Sequence, residues 1–379
     1  MQTHPPADAL GRGPQRASAL DFDHHPLLAI WEVTQACDLV CQHCRACATP
    51  HRDAAELTTE EGYRLLDDIQ AMGTHLVVLT GGDPAKRSDL PALVAYGASR
   101  GLVMTVTPSG TPVMTDALVD ALALAGVARL AVSLDGPDAA SHDAFRGVPG
   151  SFDESLRILA AARAAGVPVQ VNTSVGPHNH KALGAMADLA GRLGVSLWAV
   201  FVVVPTGRAG ASLLMGPRQV ETLLEELADI AATAPFEVKT TAAPHFRRVM
   251  LQRKQRDGAR GILHDVDAQG VVHGTRGITD GVGFVFVSHR GEIFPSGFLP
   301  MSAGDVRRDD LGTVYRTHPL FARLRDADGL GGKCGACSFR RVCGGSRARA
   351  WAMLGDVSAE DPLCAYIPRG YEAPAPAGP

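Results

Sequence analysis

The chain has 379 residues, 46% hydrophobic and 20% charged, which is material for a packed core and roughly two or three folding units. That balance excludes global disorder, and a net charge of −4 excludes the broad basic face that nonspecific nucleic-acid binding needs. The longest apolar run, residues 197–205, is about half a membrane span, and no apolar secretory core precedes Leu20, so the expectation is a cytoplasmic chain with neither a membrane nor a nucleic-acid partner.

Residues 1–25 carry Pro5, Pro6, Gly11, Gly13 and Pro14 without an apolar period and read as a tail. Apolar, β-rich runs then recur at 27–34, 75–80, 102–107, 129–134, 168–173 and 196–204. Such near-continuous runs fit parallel strands covered on both faces. Helical periods fill the gaps. Thr58 with Glu61 spells a capping box ahead of Leu65, Leu66, Ile69 and Met72, with Gly73 as the stop. Ser151 with Glu154 repeats that pattern before Leu156, Leu159 and Ala162, and Pro217 opens a helix through Val220, Leu223, Leu224, Leu227 and Ile230. The alternation over 26–240 predicts an α/β fold with a parallel sheet. A closed eight-fold barrel would need roughly fifty residues more, so a partial (β/α)6 barrel is expected. Residues 241–280 are Arg- and Gly-rich with little period and read as a connecting segment. The runs 283–287 and 292–294 flank Ser288-His289-Arg290-Gly291 as a β-hairpin, opening a small α+β domain over 281–370. A Pro/Ala-rich tail, 371–379, closes the chain.

Eight cysteines fall in two groups, Cys37, Cys41, Cys44 and Cys47, then Cys334, Cys337, Cys343 and Cys364. The cytosol keeps thiols reduced, so two metal sites explain them better than disulfides. The first group follows the first strand directly, at the C-terminal ends of the strands, where such sheets place their chemistry. Three thiolates, Cys37, Cys41 and Cys44, can hold three irons of a cubane and leave the fourth open to a ligand. Structural zinc or plain buried thiols are the competing reading. The second group supplies four thiolates and closes its site, as zinc or as a second iron–sulfur cluster. Cys47 reads as a bystander.

The Cys37-x3-Cys41-x2-Cys44 loop resembles the motif of the radical S-adenosylmethionine (SAM) superfamily. The resemblance implies a [4Fe-4S] cluster whose open iron chelates SAM, and one-electron cleavage of SAM to a 5′-deoxyadenosyl radical. Gly81-Gly82-Asp83-Pro84 is similar to the family's Gly-Gly-Glu-Pro segment, with Asp83 one methylene shorter than the usual Glu. Gly81, Gly82 and Asp83 are thereby implied to hold the SAM amino group. Ser133 and Asp135 resemble the ribose-contacting segment, Asn172 and residues 204–208 further SAM-side contacts, and His43 the position beside the adenine. The stretch from Cys343-Gly344-Gly345-Ser346-Arg347 to Asp361-Pro362-Leu363-Cys364 resembles the auxiliary-cluster domain called SPASM or twitch. Its wording is similar to the radical SAM enzymes of haem d1 and alternative haem b biosynthesis, and the resemblance covers roughly residues 27–370. Ser296 stands where larger SPASM domains carry a cysteine, so a third cluster is not expected.

The expected function is hydrogen abstraction from a substrate, with an auxiliary [4Fe-4S] cluster held by Cys334, Cys337, Cys343 and Cys364 accepting or donating an electron. A tetrapyrrole or related cofactor precursor undergoing oxidative decarboxylation is the substrate the resemblance implies, with flavodoxin or ferredoxin as electron donor. A peptide-modifying maturase is the alternative, although residues 1–25 are too short for the peptide-recognition domain that it normally carries. A zinc-bound, non-enzymatic scaffold is the alternative of another class. Arg347 and Arg349 are expected on a solvated helix face, and Arg146 and Arg208 toward the mouth of the barrel.

Overall fold

A computed structural model describes residues 21–256 and 277–372. The first strand, β1 (Leu28–Thr34), leads through the cysteine loop into α1 (Thr59–Ala71) and β2 (Leu76–Gly81). The β/α alternation continues through α2 (Leu90–Ser99), β3 (Val103–Val106), α3 (Asp116–Leu124) and β4 (Arg129–Ser133). Two helices follow, α4 (Ala139–Arg146) and α5 (Ser151–Ala164), then β5 (Val169–Val175), α6 (Leu183–Arg192), β6 (Leu197–Val202) and α7 (Pro217–Thr233). All six expected strands form, in one sheet, each parallel to its neighbour.

The sheet extends beyond those six on both sides. On one flank β7 (Glu237–Thr241) pairs parallel to β6, and α8 (His245–Arg256) follows it. Neither stands out in the sequence: β7 is a partly exposed edge strand reading Glu-Val-Lys-Thr-Thr, and α8 is Arg-rich. Residues 245–256, expected as connecting chain, are therefore helical; residues 257–276 lie outside the described residues. On the other flank β8 (Phe284–Val287) pairs parallel to β1, and β9 (Glu292–Phe294) turns back on β8 as the expected hairpin. The short β10 (Gly304–Asp305) ends that edge, and α9 (Leu311–Thr317), α10 (Pro319–Arg325), α11 (Gly332–Gly335) and α12 (Arg347–Leu354) complete the chain.

Strand alternation sorts the two faces of the sheet. Trp31, Val33, Leu79, Val106, Val132 and Val171 pack into the helix-covered core, each fully or nearly fully buried. The opposite face lines the lumen and is part polar, with Glu32, Thr105, Arg129, Ser133, Gln170, Asn172 and Ser174. On the core side α1 comes so close that a Cβ at Gly62 would lie 2.5 Å from the ring of Trp31.

The local signals hold at α1, where the Thr58 hydroxyl accepts from the Glu61 amide and the Glu61 carboxylate accepts from the Thr58 amide. They fail at α5. Gly150 is the N-cap there, and no Ser151/Glu154 box forms, because Asp143 from α4 accepts from Gly150 N at 2.7 Å and Phe152 N at 2.8 Å. Ser151 donates to the same carboxylate. A tertiary acceptor has taken the place of the local cap. Residues 21–25, expected within the tail, include a buried Phe22 whose carbonyl accepts from the Tyr315 hydroxyl at 2.7 Å.

Candidate functional site

The first cysteine group lies at the C-terminal rim of the sheet, between β1 and α1. Cys37 and Cys41 are buried, Cys44 is partly buried, and all three pack with Leu39 and Ala48. Backbone amides face two of the sulfurs, Leu39 N to Cys37 Sγ and Ala48 N to Cys44 Sγ, each at 3.4 Å. Arg146 Nη1 stands 3.7 Å from Cys41 Sγ. Cys47 is exposed with φ 47°, its amide donating to Cys44 O at 3.4 Å. Burial raises the Cys37 thiol against the bonds from Ser109 and Leu39, and the donated hydrogen bonds and guanidinium around the group suit a cluster of net negative charge.

Gly81 and Gly82 close in behind this loop. A Cβ on Gly82 would stand 2.4 Å from Ala36 O, so glycine is what lets β2 and the cysteine loop touch. Asp83 is fully buried, its carboxylate taken up by its own turn and by the loop after β3. Its carboxylate accepts from Ala85 N, from Ser109 N at 3.3 Å and from Thr111 Oγ1 at 2.6 Å. Burial raises this carboxyl against the pull of those three bonds. Ser109 then reaches Cys37 Sγ at 3.5 Å and Gly82 O at 2.8 Å. Ser109 and Thr111 carried no sequence motif; only their place just after the third strand could have drawn attention to them.

On the far side of the rim, Asp135 is fully buried and meets Arg146 Nη2 at 2.5 Å and Ser174 N at 2.6 Å. Burial works against its charge, but Arg146 and then His43 and His142 hold its carboxyl below the usual range. Ser133 and Asn172 are paired in register on β4 and β5, with Asn172 Oδ1 accepting from Gln170 Nε2 at 2.7 Å. His43 stacks on Phe145 at 4.4 Å between ring centroids, and Phe145 stacks on His178 at 3.8 Å. Burial pushes His43 down to about 4, so it is neutral at physiological pH. The segment after β6 braces the loop from outside: Arg208 donates from its backbone to Cys44 O at 3.0 Å, while its side chain is exposed. Arg45 turns into the lumen, pairs with Glu32 at 2.9 Å and lies over the Phe286 ring.

The second cysteine group forms a pocket of its own. Cys334, Cys337, Cys343 and Cys364 all line one cavity with His245, Arg248 and Tyr366. Burial raises all four thiols, Cys364 to about 12, so ionising them calls for positive charge brought close. The pocket supplies part of it. Arg347 Nη2 stands 3.6 Å from Cys334 Sγ, and the Asp361 amide donates to the same sulfur at 3.3 Å. Arg347 and Arg349, expected on a solvated face, are both buried: Arg347 binds the carbonyls of Val357 and Ala359, and Arg349 pairs with Asp361. Among the described residues no three His, Cys, Asp or Glu side chains converge tightly enough for a single metal ion. A cubane spreads its thiolates wider, because each binds a different iron. The four thiols in one cavity and the three at the rim fit such clusters. Among the described residues no helix is long and apolar enough to cross a membrane.

Comparison with known proteins bears on both groups. The model of the radical SAM superfamily matches residues 31–190. The chain is 40% identical over 344 residues to the AdoMet-dependent heme synthase of Nitratidesulfovibrio vulgaris, covering 90% of this chain and 93% of that protein. It is 38% identical over 343 residues to the AdoMet-dependent heme synthase of Methanosarcina barkeri, covering 90% and 97%. Among solved structures, Streptococcus suis SuiB bound to precursor peptide SuiA superimposes with a TM-score of 0.72 at 16% identity, over 90% of this chain and 76% of that one. At that identity the likeness is one of fold.

Proposed function

This chain belongs to the radical SAM superfamily, and within it we propose an enzyme that abstracts hydrogen from a propionate-bearing tetrapyrrole on the way to its oxidative decarboxylation. Membership makes it an iron–sulfur enzyme that uses a [4Fe-4S] cluster and SAM. The observation that carries the substrate class is the 40% identity to a haem synthase along 90% of the chain. The likeness to SuiB, one of fold alone, gives no comparable support to a peptide substrate.

Within this reading Cys37, Cys41 and Cys44 hold the SAM-cleaving cluster, and Cys334, Cys337, Cys343 and Cys364 hold the auxiliary one. The bound cluster and SAM supply a hydrogen-atom abstractor at the rim. Gly81 and Gly82 give the backbone approach on one side of the SAM site, with Asp83 acting behind them through Ser109. Ser133, Asp135 and Asn172 bound the other side, and His43 offers a neutral, stacked face for the adenine. A cluster held by Cys334, Cys337, Cys343 and Cys364 would supply an acceptor for the electron that oxidative loss of CO2 releases, and a flavodoxin- or ferredoxin-type protein of the cytoplasm would be the electron donor. The barrel spans 26–240, with 241–280 linking it to the auxiliary part, 281–370.

Anaerobic reconstitution followed by incubation with SAM, dithionite and coproporphyrin III, free or iron-loaded, tests this. About eight irons per chain are expected. 5′-Deoxyadenosine should rise with the porphyrin and vanish in Cys37→Ala. Zinc without sulfide would turn the reading toward the scaffold, and undiminished cleavage in Cys37→Ala would overturn it.

A further inference from the structure

Three Arg and Lys side chains line the cavity of the second cysteine group, and each has a carboxylate of its own. Arg248 pairs with Glu221 at 2.5 Å, Arg340 with Asp328 at 3.0 Å, and Lys333 with Glu360 at 3.7 Å. Just behind them Arg349 answers Asp361. Arg347 is the exception. It is 2% exposed, yet among the described residues its guanidinium meets no carboxylate. Its Nε donates to Gly345 O at 3.3 Å, and its Nη1 to Val357 O at 2.9 Å and Ala359 O at 2.6 Å. That leaves Nη2 for Cys334 Sγ, at 3.6 Å.

A cation taken out of water among neutral carbonyls is costly unless an anion is brought to it. The buried sulfur of Cys334 is the neighbour able to carry that charge, once it is a ligating thiolate. The approach is built into the chain. A Cβ on Gly345 would lie 2.6 Å from Arg347 Nη2 and 3.1 Å from Cys334 Sγ, so a glycine keeps the path between them open. The Asp361 amide donates to the same sulfur at 3.3 Å, which gives Cys334 two N–H donors. Reduction adds negative charge to a metal–thiolate group, so a cation and donated hydrogen bonds at a ligating sulfur favour the reduced form.

We propose that Arg347 sets the reduction potential of the cluster held by Cys334, Cys337, Cys343 and Cys364, raising it through Cys334 Sγ so that this site takes up the electron from the substrate. The inference rests on the proposed decarboxylation and deepens it. Removal of one hydrogen atom from a propionate arm leaves a carbon radical. Breaking the C–C bond to the carboxylate then forms a vinyl C=C bond and CO2 and releases one electron, which passes to this site.

An EPR-monitored redox titration tests it, on the reconstituted full chain carrying Cys37→Ala, Cys41→Ala and Cys44→Ala so that only this cluster is read. Adding Arg347→Gln should shift the one-electron equilibrium about tenfold toward the oxidised form, a midpoint about 59 mV lower. Arg347→Lys, which keeps a charge, should shift it only about threefold. With isotopically labelled arginine, ENDOR of the reduced cluster should show a guanidinium nitrogen coupling in the parent chain and none in Arg347→Lys. A midpoint unmoved by Arg347→Gln, or a parent chain without that coupling, overturns the role of Arg347; the coupling decides even where Arg347→Gln binds no iron. A lowered midpoint in a protein whose wild type forms no more 5′-deoxyadenosine with coproporphyrin III than without it would keep this role and remove the tetrapyrrole reading.

Discussion

At the residue scale the most tightly determined group is the buried set around Asp135. The Asp135 amide donates to His142 Nδ1 at 3.0 Å, which places that ring's own proton on Nε2 and fixes one neutral tautomer. Burial pushes His142 down to about 4, and the charge of Arg146 adds to this, against Asp135 and Asp143. In the unfolded chain the same ring titrates near 6.5. Between these values the unfolded state binds the extra proton, so stability falls as pH drops from about 6.5 toward 4, by up to about 3 kcal/mol. His142→Gln keeps an acceptor for the Asp135 amide and removes the titration. Urea unfolding at pH 7.5 and pH 4.5 should show a smaller acid loss in this variant than in the wild type; equal losses would refute the assignment. Asp135 was legible as Ser-Leu-Asp at a strand end, and Arg146 as part of Phe-Arg-Gly. His142 was not, because a core histidine has no ligand spacing. Only its place one helical turn before Arg146 on α4 ties them to one face.

At the element scale the site depends on how closely β2 meets the cysteine loop. A Cβ at Gly82 would lie 2.4 Å from Ala36 O and 2.5 Å from Gln35 O, backbone atoms that cannot swing aside. Gly82→Ala should therefore cost about 1–3 kcal/mol and displace the chain just before Cys37. Gly184 on α6 gives the contrast: nothing lies within 4 Å of its Cβ position, so Gly184→Ala should stabilise by about 0.5–1 kcal/mol. Chemical denaturation reads both, and iron content should fall only in Gly82→Ala. The strands were legible because parallel strands under helices read as apolar runs, and the Thr58 cap because its partners are local. What escaped the sequence was set by distant chain. The cap of α5 comes from Asp143, and β7 is held by pairing with β6 rather than by its own composition.

At the scale of the whole molecule, the two cysteine groups belong to one body because the C-terminal part is built onto the barrel sheet. β8 pairs with β1, and α12 is joined to the opposite flank by Arg349 and by Ala348, Trp351 and Ala352, which pack with Val204 and Ala242. Arg349 is fully buried; its Nη1 pairs with Asp361 Oδ2 at 3.0 Å, and its Nη2 donates to Ala242 O at 2.8 Å and Val202 O at 3.3 Å, at the ends of β7 and β6. Asp361 also meets His245 Nε2 at 3.0 Å and accepts from Ser346 N at 2.7 Å. Burial opposes that carboxylate, yet Arg349 and then His245 hold it far below the usual range. The sequence places Arg349 in a Ser-Arg-Ala-Arg stretch that looks like a solvated face, since nothing local reveals the carbonyls of Val202 and Ala242. Removing one partner of a buried pair strands the other's charge, at about 3–5 kcal/mol. Arg349→Leu should loosen the pocket around Cys334, Cys337, Cys343 and Cys364 while the barrel stays folded, because the strand–helix packing of the main core does not pass through Arg349. Iron should then fall from about eight to about four per chain, and unfolding should split into two transitions. If Arg349→Leu retains all its iron and unfolds in one step, this side chain does not join the halves.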